Sequence, residues 1–184
     1  MLKKRKKNTE KLDECMAKAL LSLMEDKPFS EIHICELAKK SGASRNYFYK
    51  HFRTKESVAE HSIRLLFKGY AYKKTMPYRA RIEHFMLYLL DHKKDLLLLH
   101  RDGLSYLLLN PIKEHYLLRM AEKNLSPEEK YRLMLHADAF YELICLWFDY
   151  EMRYSPEEMI EKTRIANAED NVINISDCEV WLGL

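Results

Sequence analysis

Glycine and proline are scarce in this chain, with only 4 Gly and 5 Pro among 184 residues. Glycine is therefore about 2% of the chain where roughly 7% is usual. So few turn-formers argue against a barrel or sandwich of many short strands. Long apolar runs are also missing. The longest aliphatic runs are Leu96–Leu99 and Leu107–Leu109, far below the roughly 20 residues a membrane helix needs. There are 4 cysteines, at Cys15, Cys35, Cys145 and Cys178, and none forms a C-x-x-C pair. Their spacing matches no metal framework, so free thiols in a reducing compartment are expected. His84, His92 and His100 recur every eight residues, too far apart for a metal pair within one helical turn. Zinc-protease, nucleophile-elbow and phosphate-loop patterns are all absent. The expectation is a protein that is not an enzyme and has no metal, no cofactor and no membrane span. Its basic N-terminus is followed by polar residues rather than the apolar stretch of a signal peptide, which implies a cytoplasmic location.

What is present is charge and hydrophobicity in globular proportion, 32% and 47%. The net charge of +3 conceals an asymmetry. Residues 1–60 hold 14 Lys/Arg against 9 Asp/Glu, a balance of +5, and the remainder holds 17 against 19, a balance of −2. Basic charge gathered at one end suits a nucleic-acid partner. A basic tail on an ordinary helical protein is the plainer reading.

The apolar pattern is helical throughout. Leu12, Met16, Leu20 and Leu23 predict a first helix ending before Pro28. A second runs from about Ile34 to Lys40. Ser41-Gly42-Ala43-Ser44 then reads as a tight turn, with Gly42 left-handed and Ser44 capping a third helix, Arg45 to His51. Phe48 and Phe52 share its inner face; Asn46, Tyr49, Lys50 and Arg53 fall outside. A fourth helix is expected from Thr54 toward Lys74, another from about Arg79, and a short one from Asp95 to Gly103. The segment 104–123 is expected to be broken or kinked at Pro111. Ser126-Pro127-Glu128-Glu129 and Ser155-Pro156-Glu157-Glu158 each combine a Ser cap, Pro in the first turn and Glu three residues after Ser. In the helix after Ser126, Leu133, Ala137, Phe140, Ile144 and Phe148 form one stripe with Met134, Tyr141, Cys145 and Met152 beside it, a width that predicts burial on more than one side. The last helix is expected from Pro156 to about Ala168, and residues 169–184 show no readable pattern.

Helix, short turn and helix with a polar outer face make a helix-turn-helix. It demands a small residue at the crossing, here Ala38, a permissive turn residue, here Gly42, and an apolar brace, here Phe48. From about Thr9 to Val58 the sequence resembles the TetR family of bacterial transcriptional regulators. The resemblance centres on 34–56 and on the pattern Tyr49-x-His51-Phe52-x-x-Lys55-Glu56. It implies an all-α, TetR-like protein with a three-helix helix-turn-helix domain over 1–54. A C-terminal helical bundle over 55–184 would serve effector binding and dimerisation.

The resemblance also implies roles. Ser44, Arg45, Asn46, Tyr47 and Lys50 would belong to the DNA-reading helix and its edges, with packing of the turn as the plainer role for Tyr47. Arg45 suits guanine and Asn46 adenine. Tyr49 and His51 would contact phosphate, and Lys55 would add a charge beside phosphate at the next helix start. Where the family usually has a capping Thr, this chain has His33-Ile34-Cys35, which weakens that cap. The basic segment Lys3–Lys7 is either an arm for a minor groove or phosphates, or a solvated tail. Phe85, Tyr88, Tyr106, Phe140, Tyr141 and Trp147 are candidates for an effector cavity, against a plainer role as core and interface. The function implied is a homodimeric repressor of a near-palindromic operator on double-stranded DNA, relieved by an unidentified small-molecule effector. The alternative is a TetR-like adaptor or co-activator working through a protein partner.

Overall fold

The computed structural model describes residues 2–70, 78–114 and 125–162. Among these the chain is entirely helical, with no strand. It divides into two compact units, Met1–Gly69 with Leu98–Leu107, and Tyr70–Leu97 with Leu108–Leu184. No helix of the described residues is long and apolar enough to cross a membrane.

In the first unit α1 spans Leu2–Asp26, α2 Ile34–Ser41, α3 Arg45–His51 and α4 Lys55–Gly69. α1 packs on α2 and α4, and α2 on α3. The core they share includes Met16, Leu20, Met24, Leu37, Ala38, Phe48, Val58, Ala59 and Ile63. α1 begins ten residues before Leu12, so the Lys3–Lys7 segment is helical. Residues 2–11 contain neither Gly nor Pro, and Lys, Arg and Glu are good helix formers. At its other end Arg101 donates to the Met24 carbonyl at 2.7 Å. That satisfies one of the acceptors that every helix C-terminus leaves open. A short 3₁₀ turn, Phe29–Glu31, connects toward α2 and buries Phe29. α4 ends at Gly69, short of the expected Lys74, and glycine is a poor helix former.

The second unit contains α5, Tyr78–Asp91, and the start of α6, Lys93–Arg101. Ile82, Phe85, Met86 and Leu89 form the buried side of α5. Pro111 does not kink a helix interior. It lies in the first turn of the helical stretch 109–114, behind the 3₁₀ turn Ser105–Leu108, where its missing N–H has no partner to lose.

α7 spans Pro127–Asp149 and starts with a complete capping box. The Ser126 Oγ accepts from the Glu129 amide at 3.3 Å, and Glu129 Oε2 accepts from the Ser126 amide at 2.7 Å. Ser155 and Glu158 repeat this arrangement at 3.1 and 2.7 Å ahead of the helical residues 156–162. The five stripe residues of α7 are all buried, joined by Leu143 and Trp147. The opposite side is exposed within the single chain, although it carries Tyr131, Leu135 and Leu146. After α7, Glu151 and Met152 both take positive φ, 53° and 50°. The Trp147 indole closes this turn by donating to the Tyr154 carbonyl at 2.9 Å. The remainder of the expected last helix and residues 169–184, with Cys178, lie outside the described residues.

Candidate nucleic-acid interface

The α2–α3 turn is built as its residues dictate. Gly42 sits in the left-handed region at φ 72°, and its N–H reaches the carbonyls of Ala38 and Lys39. The Ser41 hydroxyl donates to Ala38 O at 3.0 Å inside the turn. Ser44 then caps α3, its Oγ accepting from the Tyr47 amide at 3.0 Å. At the start of α2 the cap comes from Glu36 rather than from a threonine. Its carboxylate accepts from the His33 amide at 3.0 Å and from Lys27 Nζ at 2.6 Å. The Lys27 bond, with the His33 amide, holds the Glu36 carboxyl below its ordinary range. The His33 residue itself is exposed.

At 3.6 residues per turn the surface of α3 divides into three arcs. The first is core: Phe48 is fully buried and Phe52 nearly so, their rings 6.4 Å apart. The second faces α1. The Tyr47 hydroxyl donates toward Asp13 Oδ1 at 2.8 Å, with the Thr9 carbonyl at 3.1 Å. His51, one turn later, stacks on Tyr47 with ring centroids 4.0 Å apart and planes 12° from parallel. Its Nδ1 lies 3.9 Å from the same Asp13 oxygen. Burial and the carboxylate together push the Tyr47 phenol well above its ordinary ionisation range. The third arc carries Arg45, Asn46, Tyr49 and Lys50, all exposed. Tyr49 is 49% exposed and rests edge-on against Phe48 at 5.4 Å.

Two expected contact residues are therefore committed inside the unit. Tyr47 spends its hydroxyl on α1. Lys55 donates from Nζ to the carbonyls of Phe29 at 2.7 Å and Ser30 at 3.2 Å, and lies 4.7 Å over the Phe29 ring. Asp13 and Thr9 were not legible as site residues. They lie 34 and 38 positions before Tyr47, and no local pattern links them to it.

Three of the candidate effector residues are joined by ring contacts in the second unit. Tyr88 and Phe85 are linked through Tyr70, and Phe140 joins through Phe85. The Tyr70 ring lies 5.2 Å from Tyr88 and 4.9 Å from Phe85, and Phe85 lies 5.9 Å from Phe140. Trp147 is fully buried and tied to the turn after α7. Tyr141 is hydrogen-bonded to Cys145, and burial pushes the pKa of both groups up, so that both stay protonated more firmly. Tyr106 is 52% exposed and belongs to the first unit.

No protein-family model and no curated protein sequence matches the chain. A solved structure does match: a TetR-family transcriptional regulator from Streptomyces coelicolor, at TM-score 0.56 over 95% of this chain and 87% of that one. The fold is TetR-like. At 16% identity the likeness is one of architecture. Within this TetR-type fold, α2 and α3 are the helix-turn-helix and α7 is a long helix of the C-terminal unit.

Proposed function

We propose that this chain is a sequence-specific regulator of transcription, non-enzymatic and cytoplasmic, that binds double-stranded DNA as a homodimer. The observation that carries the reading is the third arc of α3. A seven-residue helix is held on two sides, and its free side presents a guanidinium, an amide, a phenol and an ammonium. Arg45 and Lys50 suit guanine edges or phosphate, and Asn46 suits adenine. Ser44 precedes α3 and His33 precedes α2, both as exposed residues that we count as further candidates for DNA contact. Tyr49 and the partly exposed His51 imidazole fit phosphate.

Homodimer formation rests on the far side of α7. Tyr131, Leu135 and Leu146 are 67%, 38% and 47% exposed and lie on the face opposite the core stripe. Apolar side chains gathered on one exposed face mark an association surface. A second copy of the same helix matches it by two-fold symmetry, and a two-fold dimer reads a near-palindromic site. The chain acts as a repressor by occupying that site. The aromatic group around Tyr70, Phe85, Tyr88 and Phe140 is our candidate region for a small-molecule effector, which must bind two conformations unequally to release the DNA.

The test is selection of duplexes from a random pool by the purified protein, followed by a salt series against random competitor. An enriched sequence with two related half-sites supports the reading. Recovery of no sequence above random overturns it and favours an adaptor that works through a protein partner.

A further inference from the structure

Asp13 lies on α1, outside the helix-turn-helix, and its carboxylate is part-buried at 19% side-chain exposure. It meets both polar groups on one flank of α3: the Tyr47 hydroxyl at 2.8 Å and His51 Nδ1 at 3.9 Å. The two rings are stacked face to face, so the flank behaves as one slab rather than two independent side chains. Phe48 and Phe52 press α3 onto the core, but apolar contacts are non-directional. They hold the helix in place and turn one face inward, without fixing its fine rotation about its own axis. A hydrogen bond from a phenol to a carboxylate does set it, because it is directional in distance and angle. The second acceptor, the Thr9 carbonyl at 3.1 Å, lies one helical turn earlier on α1 and constrains the same hydroxyl from a second direction.

From this geometry we infer that Asp13 is a positioning residue for base reading. It fixes the rotation of α3 through Tyr47 and His51 and so aims Arg45, Asn46, Tyr49 and Lys50, without itself touching DNA. The inference rests on the DNA-binding reading above. It has a distinctive consequence. Rotating α3 misplaces the groups that discriminate bases, whereas phosphate attraction tolerates the change because it is long-ranged and sequence-independent. Loss of the Asp13 contact therefore lowers specific binding relative to binding to random duplex.

The experiment measures the ratio of affinities for a duplex selected by the wild-type protein and for random duplex of equal length. The variants are Asp13→Ala, Asp13→Asn, Tyr47→Phe and the double variant Asp13→Ala/Tyr47→Phe. A simple loss of folded protein reduces both affinities together and leaves the ratio alone. The expected result is a fall in the ratio of about tenfold for Asp13→Ala and Tyr47→Phe, the scale of one charge-assisted hydrogen bond. Asp13→Asn, which still accepts the hydroxyl, falls less. The double variant falls by less than the sum of the two single changes, because the bond between Asp13 and Tyr47 is lost in both. Should Asp13→Ala not fold, Tyr47→Phe and Asp13→Asn carry the comparison. An unchanged ratio in Tyr47→Phe and Asp13→Asn, or additive losses in the double variant, overturns the positioning role while DNA reading stands. Failure of the wild-type protein to enrich any sequence overturns DNA reading, and the positioning role with it.

Discussion

Gly42 and Arg53 bracket α3, and both sit in the left-handed backbone region, at φ 72° and 68°. One is the residue type that region favours and the other is not, so reciprocal substitutions test the same term with opposite sign. At Gly42 an added Cβ meets no atom within 4 Å. The cost of Gly42→Ala is therefore conformational, about 1–2 kcal/mol for an alanine held left-handed. Alanine also narrows the unfolded ensemble, which returns about 0.4–1 kcal/mol. The expected net loss is about 1 kcal/mol. At Arg53 the N–H shares the Phe48 carbonyl with that of Phe52, at 3.2 and 2.8 Å. Those bonds hold the residue left-handed at the end of α3. Arg53→Gly keeps both bonds and removes the strain, for an expected gain of about 0.5–1 kcal/mol.

Thermal melting followed by circular dichroism reads both changes. For a chain of this length 1 kcal/mol moves the midpoint by roughly 2–4 °C. Gly42→Ala should lower the midpoint and Arg53→Gly should raise it, each by an amount of that order. Two changes of the same sign would refute the backbone argument. A drop well beyond 4 °C for Gly42→Ala would show that packing, not φ, governs the turn.

Three further outcomes follow from named contacts. Lys55→Met should lower stability by about 1–2 kcal/mol through the lost carbonyl contacts. It should also leave the salt dependence of DNA binding unchanged; a slope reduced by about one counterion would put Lys55 on phosphate instead. Glu36 has its carboxyl depressed by Lys27, so its contribution is fully present above the unfolded carboxyl value and is lost as pH falls through the folded one. The melting difference between wild type and Glu36→Gln should thus be largest near neutrality and vanish at low pH; a gap that widens on acidification contradicts the sign. The proposed dimer should fall to monomer in sedimentation when Leu135→Glu is combined with Leu146→Glu, with helix content retained. An unchanged dimer would move the interface away from α7.

The elements with local chemistry were readable in advance. Gly42, the Ser44 cap and the two Ser-Pro-Glu-Glu starts all act within three or four residues of themselves, and all stand as their residue types require. The buried stripe of α7 was readable because one helix face repeats it. What escaped was settled by distant partners. Tyr47 and Lys55 carry polar tips on residues of a recognised pattern, and nothing nearby shows that α1 and the 29–31 turn already use them. The start of α1 escaped for another reason. Its first ten residues bear no apolar repeat, so only helix propensity marks them, and propensity is a weak signal. The aromatic residues of the second unit were visible as types but not as groups, since helical spacing says nothing about which helices face one another.

The three arcs of α3 also separate stability from specificity, and this separation is testable. A seven-residue helix does not persist in water by itself, because nucleation costs more than so few hydrogen bonds return. Its persistence depends on Phe48 and Phe52 in the core and on Tyr47 and His51 against α1. Arg45 and Asn46 take no part in either set of contacts, and both are exposed. Replacing them with other polar residues should therefore leave the melting midpoint nearly unchanged, within about 0.5 kcal/mol. The same replacements should change which duplex is enriched from a random pool, by about 1–3 kcal/mol for each lost base pairing. Phe48→Ala should do the reverse, costing about 3–5 kcal/mol of stability for a fully buried ring. If Arg45 or Asn46 replacements instead destabilised the fold and left the preferred duplex unaltered, the free arc of α3 would be structural. The reading of base sequence would then have to be sought elsewhere on the first unit.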